Sequence, residues 1–498
     1  MQRVSAWALF HASGRPRRLF LAAGLLPLAL SACAVGPRFA APRLVVPGHF
    51  TAAPQNAPPA WPDRTWWRGF GSPELDRLIA EAEVHNFSIR IAVAELQAAN
   101  AQVEVAGAPL LPSISGAASA SRQRTGGNAG GNNGLVPTTS RAFDTQQFAA
   151  SLQVSYELDF WGRNRDALRA AEADAAASRF NRDTVALTAI SAVATTWFQI
   201  LADRDQLAIA RQNLTAAQSL LAQLRAELAA GTTDAVAVAQ QAALVAAERA
   251  TIPNLQSQLH QEMIGLGILV GKPPELVTVP PGTLNTLHVP PLRPGLPSAL
   301  LTRRPDIAQA RANLIAANAN VRAAIADFFP SISLTGSAGW QSTALDALLA
   351  PGSLLLNAAA SISQPIFEGG ALMGQLAISR ATYRQDVIGY EQTVVQAFSN
   401  VETALTALHY ATDQEHEEWI AVERAREALD AVKAQLNAGI VDVGTVITAQ
   451  QALLSDESTY EQARLTRFLA AINLYEALGG GWRARSAPPA KVKLTHAS

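Results

Sequence analysis

A single cysteine, Cys33, stands in 498 residues, so the chain can form no internal disulfide and no cysteine-based metal cluster. Charge is also scarce. The 39 Lys and Arg residues and 40 Asp and Glu residues leave a formal net charge of −1, and only 16% of residues are charged. That balance sets up no field that nucleic acid or anionic lipid could read, and no basic run interleaved with aromatics makes up for it; nucleic acid is not an expected partner. The eight histidines are scattered, and His416-Glu417-Glu418 lacks the second histidine that a helical zinc site needs. No nucleophile elbow, phosphate-cradling glycine loop or cysteine cluster occurs. Catalysis is not expected, nor is a metal or any other cofactor.

The N-terminus is short of apolar length. Arg15, Arg17 and Arg18 precede an apolar run from Leu19 to Leu30, and small residues follow. That run falls well below the ~20 residues of a membrane-spanning helix, and its flanks are those of a secretory signal, expected over residues 1–32. Cys33 sits where such a signal is cut, in Leu30-Ser31-Ala32-Cys33. A residue at the foot of a signal is poorly placed for a core.

Proline is unevenly spread. The segment 33–71 contains Pro37, Pro42, Pro47, Pro54, Pro58, Pro59 and Pro62, too dense for a regular helix or ladder. It reads as an extended strap on the surface, with Trp61, Trp66 and Trp67 tucked against the body. By contrast, no proline occurs from Gly162 to Ala230 or from Gly370 to Ala438, and strong helix formers fill both stretches. A continuous helix over either would be ~100 Å long. Helices of that reach pack lengthwise against others of their kind.

Between these stretches lie shorter signals. Ser72-Pro73-Glu74 supplies an N-cap, a proline at the first helical position and an acid in the first turn. Leu75, Leu78, Ile79 and Ala82 follow at helical spacing, and the helix is expected to end at Pro109 and Pro112. Leu152, Val154, Tyr156, Leu158 and Phe160 then alternate with polar residues. This period of two predicts a strand over about 147–160, with a partner at about 110–122, and Gly126 to Gly134 reads as a flexible loop. A soluble hairpin with one wet face would show the same alternation; the export signal favours a membrane strand.

The pattern then repeats. Ala98 to Ser115 reads AANAQVEVAGAPLLPSIS, and Ala316 to Ser333 reads AANANVRAAIADFFPSIS, at a constant offset of 218. Leu228-Ala229-Ala230-Gly231 with Asp234 is echoed by Leu436-Asn437-Ala438-Gly439 with Asp442, at an offset of 208. A tandem duplication follows: a first repeat over 72–270, a proline-rich linker over 271–297 and a second repeat over 298–478. Each is helix, two strands, long helix, turn, helix. The second repeat has strands at about 330–341 and 357–367, and residues 479–498 read as a disordered tail. In each repeat a glycine and an aspartate mark the turn between the long helices: Gly231 with Asp234, then Gly439 with Asp442.

Four membrane strands cannot close a barrel, because the smallest barrels have about eight, and lipid tolerates no open sheet edge. Chains must therefore share a barrel. Three chains would give 12 strands, and their long helices a common cylinder. A hollow tube that crosses a membrane is a conduit.

Here the residues match a family. Leu300-Leu301-Thr302-Arg303-Arg304-Pro305-Asp306-Ile307, running into the repeat above, closely resembles the outer membrane factors of tripartite efflux pumps, the TolC-like family. Cys33-Ala34-Val35-Gly36-Pro37, Trp66-Trp67, Glu157-Leu158-Asp159-Phe160-Trp161-Gly162 and Gln364-Pro365-Ile366-Phe367-Glu368-Gly369-Gly370 match as well. The resemblance implies a mainly α protein with membrane β structure: a homotrimer with a shared 12-stranded outer-membrane β-barrel, continued by a 12-helix periplasmic α-barrel. It implies a lipobox, with a covalent lipid on Cys33 as first mature residue; Ala34, where retention signals carry Asp, points to the outer membrane of a Gram-negative bacterium. It implies as partners a periplasmic adaptor and an inner-membrane resistance–nodulation–division transporter, besides outer-membrane lipid. Lipidation and the Arg-Arg-Pro-Asp motif favour small-molecule efflux over a secretion duct of the same architecture.

Two motifs have a local reading beside the family one. Pro305 at a first helical position and Asp306 in the first turn start a helix, so Arg303, Arg304, Pro305 and Asp306 are expected to be structural. At the second tip, Gly439-Ile440-Val441-Asp442-Val443-Gly444-Thr445-Val446-Ile447-Thr448, the family usually places acids that form rings around a periplasmic gate. Thr445 and Thr448 stand where Asp is common, and Asp442 is the acid left there. It is either one ring of three carboxylates or simply an N-cap. Gly444, costly inside a helix, would soften the tip where it opens.

Overall fold

The computed structural model describes residues 35–52, 61–125, 143–292 and 294–483. Residues 1–32, expected as a signal sequence, Cys33, the loop expected from Gly126 to Gly134 and residues 484–498 lie outside them. Eight helices and four strands are labelled in chain order: α1 Pro73–His85, α2 Phe87–Gly107, β1 Ser113–Thr125, β2 Phe143–Leu158, α3 Arg163–Ala229, α4 Ala235–Leu269, α5 Pro297–Leu300, α6 Pro305–Ala326, β3 Ser331–Ser342, β4 Leu354–Ser363, α7 Ala371–Asn437 and α8 Val443–Ala477. The two proline-free stretches are single helices of 67 residues each. Their partners α4 and α8 have 35 residues each.

The chain divides into two compact units, and each draws on both repeats. The first comprises the described residues within 1–40, 100–173 and 315–385. Its centre is one antiparallel sheet in the order β1-β2-β3-β4. The Ser113 rung runs straight across it, Ser113 to Ser155 to Thr335 to Ala359. Where strands meet helices, Trp161 stacks on Phe329 at 4.7 Å and its Nε1 donates to the Pro330 carbonyl at 2.8 Å. Asp166, fully buried in the first turn of α3, accepts from Arg169 and pairs with Arg322 Nε at 3.2 Å.

The second unit comprises the described residues within 41–99, 174–314 and 386–498. Its main core gathers Phe70, Phe198, Phe468 and Tyr475, with rings 5.0–5.9 Å apart, around Leu75, Leu78 and Ile79. These aromatics hold the strap in place. Trp66, Trp67 and Phe70 sit buried in a 3-10 turn, Trp66–Phe70, and Trp66 stacks on Tyr475 at 4.7 Å. Upstream, Phe50 is buried and the amides of Thr51 and Ala52 donate to the Glu402 carboxylate at 3.1 and 2.8 Å.

Several expectations need correcting. The helix opened by Ser72 does not run unbroken to Pro109: it stops at His85 and restarts at Phe87. Asn86 leaves helical geometry (φ −56°, ψ 128°), donates to the Leu269 carbonyl at 2.7 Å and accepts from the Ile89 amide at 3.1 Å. A tertiary hydrogen bond and a new cap outweigh helix propensity there. β4 ends at Ser363 instead of near Phe367, because Pro365 brings no amide to the ladder. The tail does not begin at Gly479. Gly479 packs against the Arg303 carbonyl, and Trp482 donates to Asp183 at 2.9 Å with its ring edge-on to Phe180.

Candidate functional site

Two surfaces carry the functional reading: the faces of the sheet and the turns between the long helices. On the sheet, register sorts side chains by parity. One face presents Ile114, Leu152, Val154, Leu334, Trp340, Leu354, Leu356 and Ile362. Leu356 is 71% exposed and Ile362 72%, which is tolerable only against an apolar surrounding. The opposite face presents Ser113, Ser115, Gln153, Ser155, Thr335, Ser337 and Asn357, which together line a shallow cavity of about 370 Å³. Among the described residues β1 pairs only with β2 and β4 only with β3, so each keeps one bare edge.

The turn after α3 and the turn after α7 share one construction. Gly231 (φ 74°) and Gly439 (φ 72°) adopt left-handed backbone just past the helix end, the conformation open to glycine at little cost. In the first turn Gly231 N donates to Leu228 O at 3.0 Å and Thr232 N to Glu227 O at 2.9 Å; in the second, Gly439 N donates to Leu436 O and Ile440 N to Gln435 O, both at 2.9 Å. Both are Schellman closures that satisfy the last carbonyls of a long helix. Three residues after each glycine an aspartate caps the next helix: Asp234 accepts from Ala237 N at 2.8 Å and Asp442 from Thr445 N at 2.9 Å.

Asp442 does more than its counterpart. The same Oδ1 accepts the Thr445 hydroxyl at 2.9 Å, and these donors hold the carboxyl below its usual range. Asp442, Gly444, Thr445 and Thr448 line one cavity of about 1010 Å³ between α8 and α4, together with Gln240 and Gln451. Thr448 turns its hydroxyl back onto the Gly444 carbonyl at 2.9 Å. Gly439 lies outside this cavity's lining. A neighbouring cavity of about 730 Å³ shares Leu244, Ala247 and Gln451 and adds Gln206, Asn254 and Glu248. Under the tip, Val443 and Ile447 pack on Leu224 and Leu244.

The Arg-Arg-Pro-Asp stretch belongs to neither cavity lining. Arg304 pairs with Asp306 through two contacts, at 3.0 and 2.5 Å, and donates to the Ala477 carbonyl at 2.8 Å, closing the end of α8. Arg303 lies over the Trp61 ring at 4.5 Å, and Pro305 opens α6.

Sequence reasoning missed a buried charge network. Glu461 on α8 is 5% exposed, and its Oε2 accepts no hydrogen bond among the described residues. Burial first, then Asp205, Glu415 and Glu457, push its carboxyl up to about 7 against the opposing pull of Arg464. Arg467 pairs with Glu415, and Arg426 with Glu457 at 3.1 Å. Asp205 holds the Leu284 amide at 2.8 Å, and Arg464 Nη2 the Leu284 carbonyl at 3.2 Å. On α3, burial and Glu262 push the Asp203 carboxyl up to about 6. No local signal marks these residues, because the long helices show no single apolar face against which a buried acid would stand out.

The comparisons with known proteins agree with this architecture. The family described as "Outer membrane efflux protein" matches residues 78–272 and 296–480. The pyoverdine export outer membrane protein OpmQ of Pseudomonas aeruginosa is 36% identical over 92% of this chain and 95% of its own length. The probable outer membrane lipoprotein SilC of Salmonella typhimurium is 30% identical over 93% of this chain and 97% of its own. Among solved structures, the open state of the Neisseria gonorrhoeae MtrE outer membrane channel superposes with a TM-score of 0.82 at 28% identity, covering 91% of this chain and 99% of that one. Matched along nearly its whole length, with two tandem repeats and an apolar-faced sheet, the chain belongs to the outer membrane efflux protein family and serves as an outer-membrane exit duct of an efflux pump.

Proposed function

We propose that three copies of this chain close their sheets into one 12-stranded outer-membrane barrel, and that their four long helices each build a 12-helix periplasmic tunnel. One observation carries the proposal: a four-stranded sheet with an exposed aliphatic face and two bare edges. Lipid does not tolerate those edges, and four strands are too few to close on themselves. Cys33 would bear the lipid once residues 1–32 are removed, in keeping with the name of SilC. The partners would be a periplasmic adaptor and an inner-membrane resistance–nodulation–division transporter, and the cargo small molecules; since the relative OpmQ exports pyoverdine, pyoverdine is the first solute to try. Protein extracted from outer membranes in mild detergent is expected to have a trimer's mass by light scattering. A monomer would overturn the proposal.

At the tip, the Asp442 carboxylate caps α8 through Oδ1 and lines the cavity between α8 and α4. Three copies then place three carboxylates around the axis, with Thr445 and Thr448 in the next turn where other members carry acid. Asn at position 442 keeps the cap but removes the charge. Asp442→Asn should lower the cation preference of single channels, and an unchanged preference and conductance would reduce Asp442 to a cap. Arg303, Arg304, Pro305 and Asp306 take a structural role, closing α8 and opening α6, as do Gly231 and Asp234 at the first tip.

A further inference from the structure

The polar face of the sheet carries a long stretch without charge. On β2 the residues of this parity from Thr145 to Ser155 are Thr145, Gln147, Ala149, Ser151, Gln153 and Ser155. Ten residues of strand at ~3.3 Å each cover roughly 30 Å. Neighbouring strands add only Ser, Thr, Gln, Asn, Ala, Gly and Leu at the matching positions. The densest rung is Ser115–Gln153–Ser337–Asn357, one residue from each strand. The acid of this parity, Glu157, lies one rung beyond Ser155 toward the helices, where Arg163 sits 3.6 Å from it and also pairs with Asp327 at 2.9 Å. Toward the other end, Arg122 and Asp144 pair with each other, on the opposite parity.

From this we infer that the β-section of the duct is blind to the sign of a solute's charge. Its Ser115–Gln153–Ser337–Asn357 rung, repeated three times around the pore, forms an uncharged amide–hydroxyl belt that passes hydrogen-bonding solutes, anionic, cationic or neutral. The inference rests on the reading of the sheet as a shared pore wall. Selection by sign in a pore comes from rings of fixed charge. Amides and hydroxyls carry none, and each offers both donors and acceptors. An amide N–H serves a carboxylate or catecholate oxygen, and its C=O serves an ammonium or metal-bound water. Water lost at the wall is replaced equally for either sign, so any preference of the whole channel must arise outside this section.

The test is the potassium-to-chloride permeability ratio of the full-length trimer in planar bilayers under a salt gradient. Replacing both belt amides, Gln153→Leu with Asn357→Leu, should lower potassium and chloride conductance by the same factor and leave the ratio unchanged. A changed ratio would overturn the inference. Ser337→Asp and Ser337→Lys report separately on the pore wall: they should shift the ratio several-fold in opposite directions, with the native channel between them. If both leave the ratio where it was while channels still form, the face does not line the pore. The reading on which the inference rests would then fail, and the inference with it.

Discussion

The two repeats keep identical lengths in their long helices, 67 residues in α3 and α7 and 35 in α4 and α8, and differ in their hairpins. α3 and α7 start 208 residues apart, at Arg163 and Ala371, and so do α4 and α8, at Ala235 and Val443. Before the sheet the offset is 218, as from Ser113 of β1 to Ser331 of β3. The difference falls within the hairpins, where the first copy has both a longer connection, Thr125 to Phe143 against Ser342 to Leu354, and longer strands. A residue added to a helix turns every later side chain by ~100° about the axis and misaligns the packing of both neighbours. A residue added to a hairpin loop disturbs nothing beyond it. The comparison shows where the fold tolerates change, and it isolates what the copies do differently inside helices of equal length.

The sharpest such difference is Pro253 in α4, whose counterpart in α8, 208 residues on, is Glu461. α4 accommodates a proline in its interior. α8 places at that point a buried acid that faces Asp205 from α3 and Glu415 from α7, with Glu457, Tyr460, Arg464 and Arg467 around it on α8. Exchanging the two should be strongly asymmetric. Glu461→Pro is expected to cost about 3 kcal/mol or more, through the lost hydrogen bond and the clash with the preceding turn. Pro253→Ala should cost nothing, because it restores an amide the helix can use. Urea unfolding followed by helical circular dichroism reads both, and equal losses would mean that the two sites are interchangeable after all.

A smaller effect follows from charge alone. Glu461 is raised from 4.5 to about 7 in the folded chain. An acid with a raised folded pKa stabilises the fold fully below its unfolded value and loses that contribution as pH climbs through the folded one. Stability from this site should therefore fall between about pH 4.5 and 7. Glu461→Gln should flatten that slope and, above pH 7, raise stability by up to about 3 kcal/mol. α4, with proline at the matching place, has no titrating group there to show such a slope. A native chain whose stability is level across this range would refute the asymmetry.

What could be read in advance divides along the same line. The tip turns were legible because Gly231, Asp234, Gly439 and Asp442 act on backbone within three residues of themselves, and the strands because alternation is local. The Glu461 network was not, because its partners on α3 and α7 stand far away in sequence and the long helices show no single apolar face against which a buried acid would stand out. The same holds for Asn86, whose bond to Leu269 ends α1, and for Trp482, held by Asp183. The Asp442 cap was readable as one of two roles. Its place on a cavity shared with Gln240 emerges only once α4 and α8 are set side by side.

The smallest expected effect lies at the tips themselves. Position 236 in the first copy is Val, and its counterpart 444 is Gly, the second residue of α8. A Cβ at Gly444 would touch Asp442 Oδ1 at 3.4 Å, an ordinary contact, so alanine fits without displacing the cap. Gly444→Ala should stabilise by about 0.5–1 kcal/mol, since glycine in a helix costs that much backbone entropy. If Gly444 softens the second tip for opening, the same change lowers the open probability of single channels. Val236→Gly, made in the first copy, would then raise it or leave it alone. Should Gly444→Ala stabilise the chain while gating stays as it was, the two tips are equivalent hinges. The asymmetry between the copies would then lie higher up, at Pro253 and Glu461.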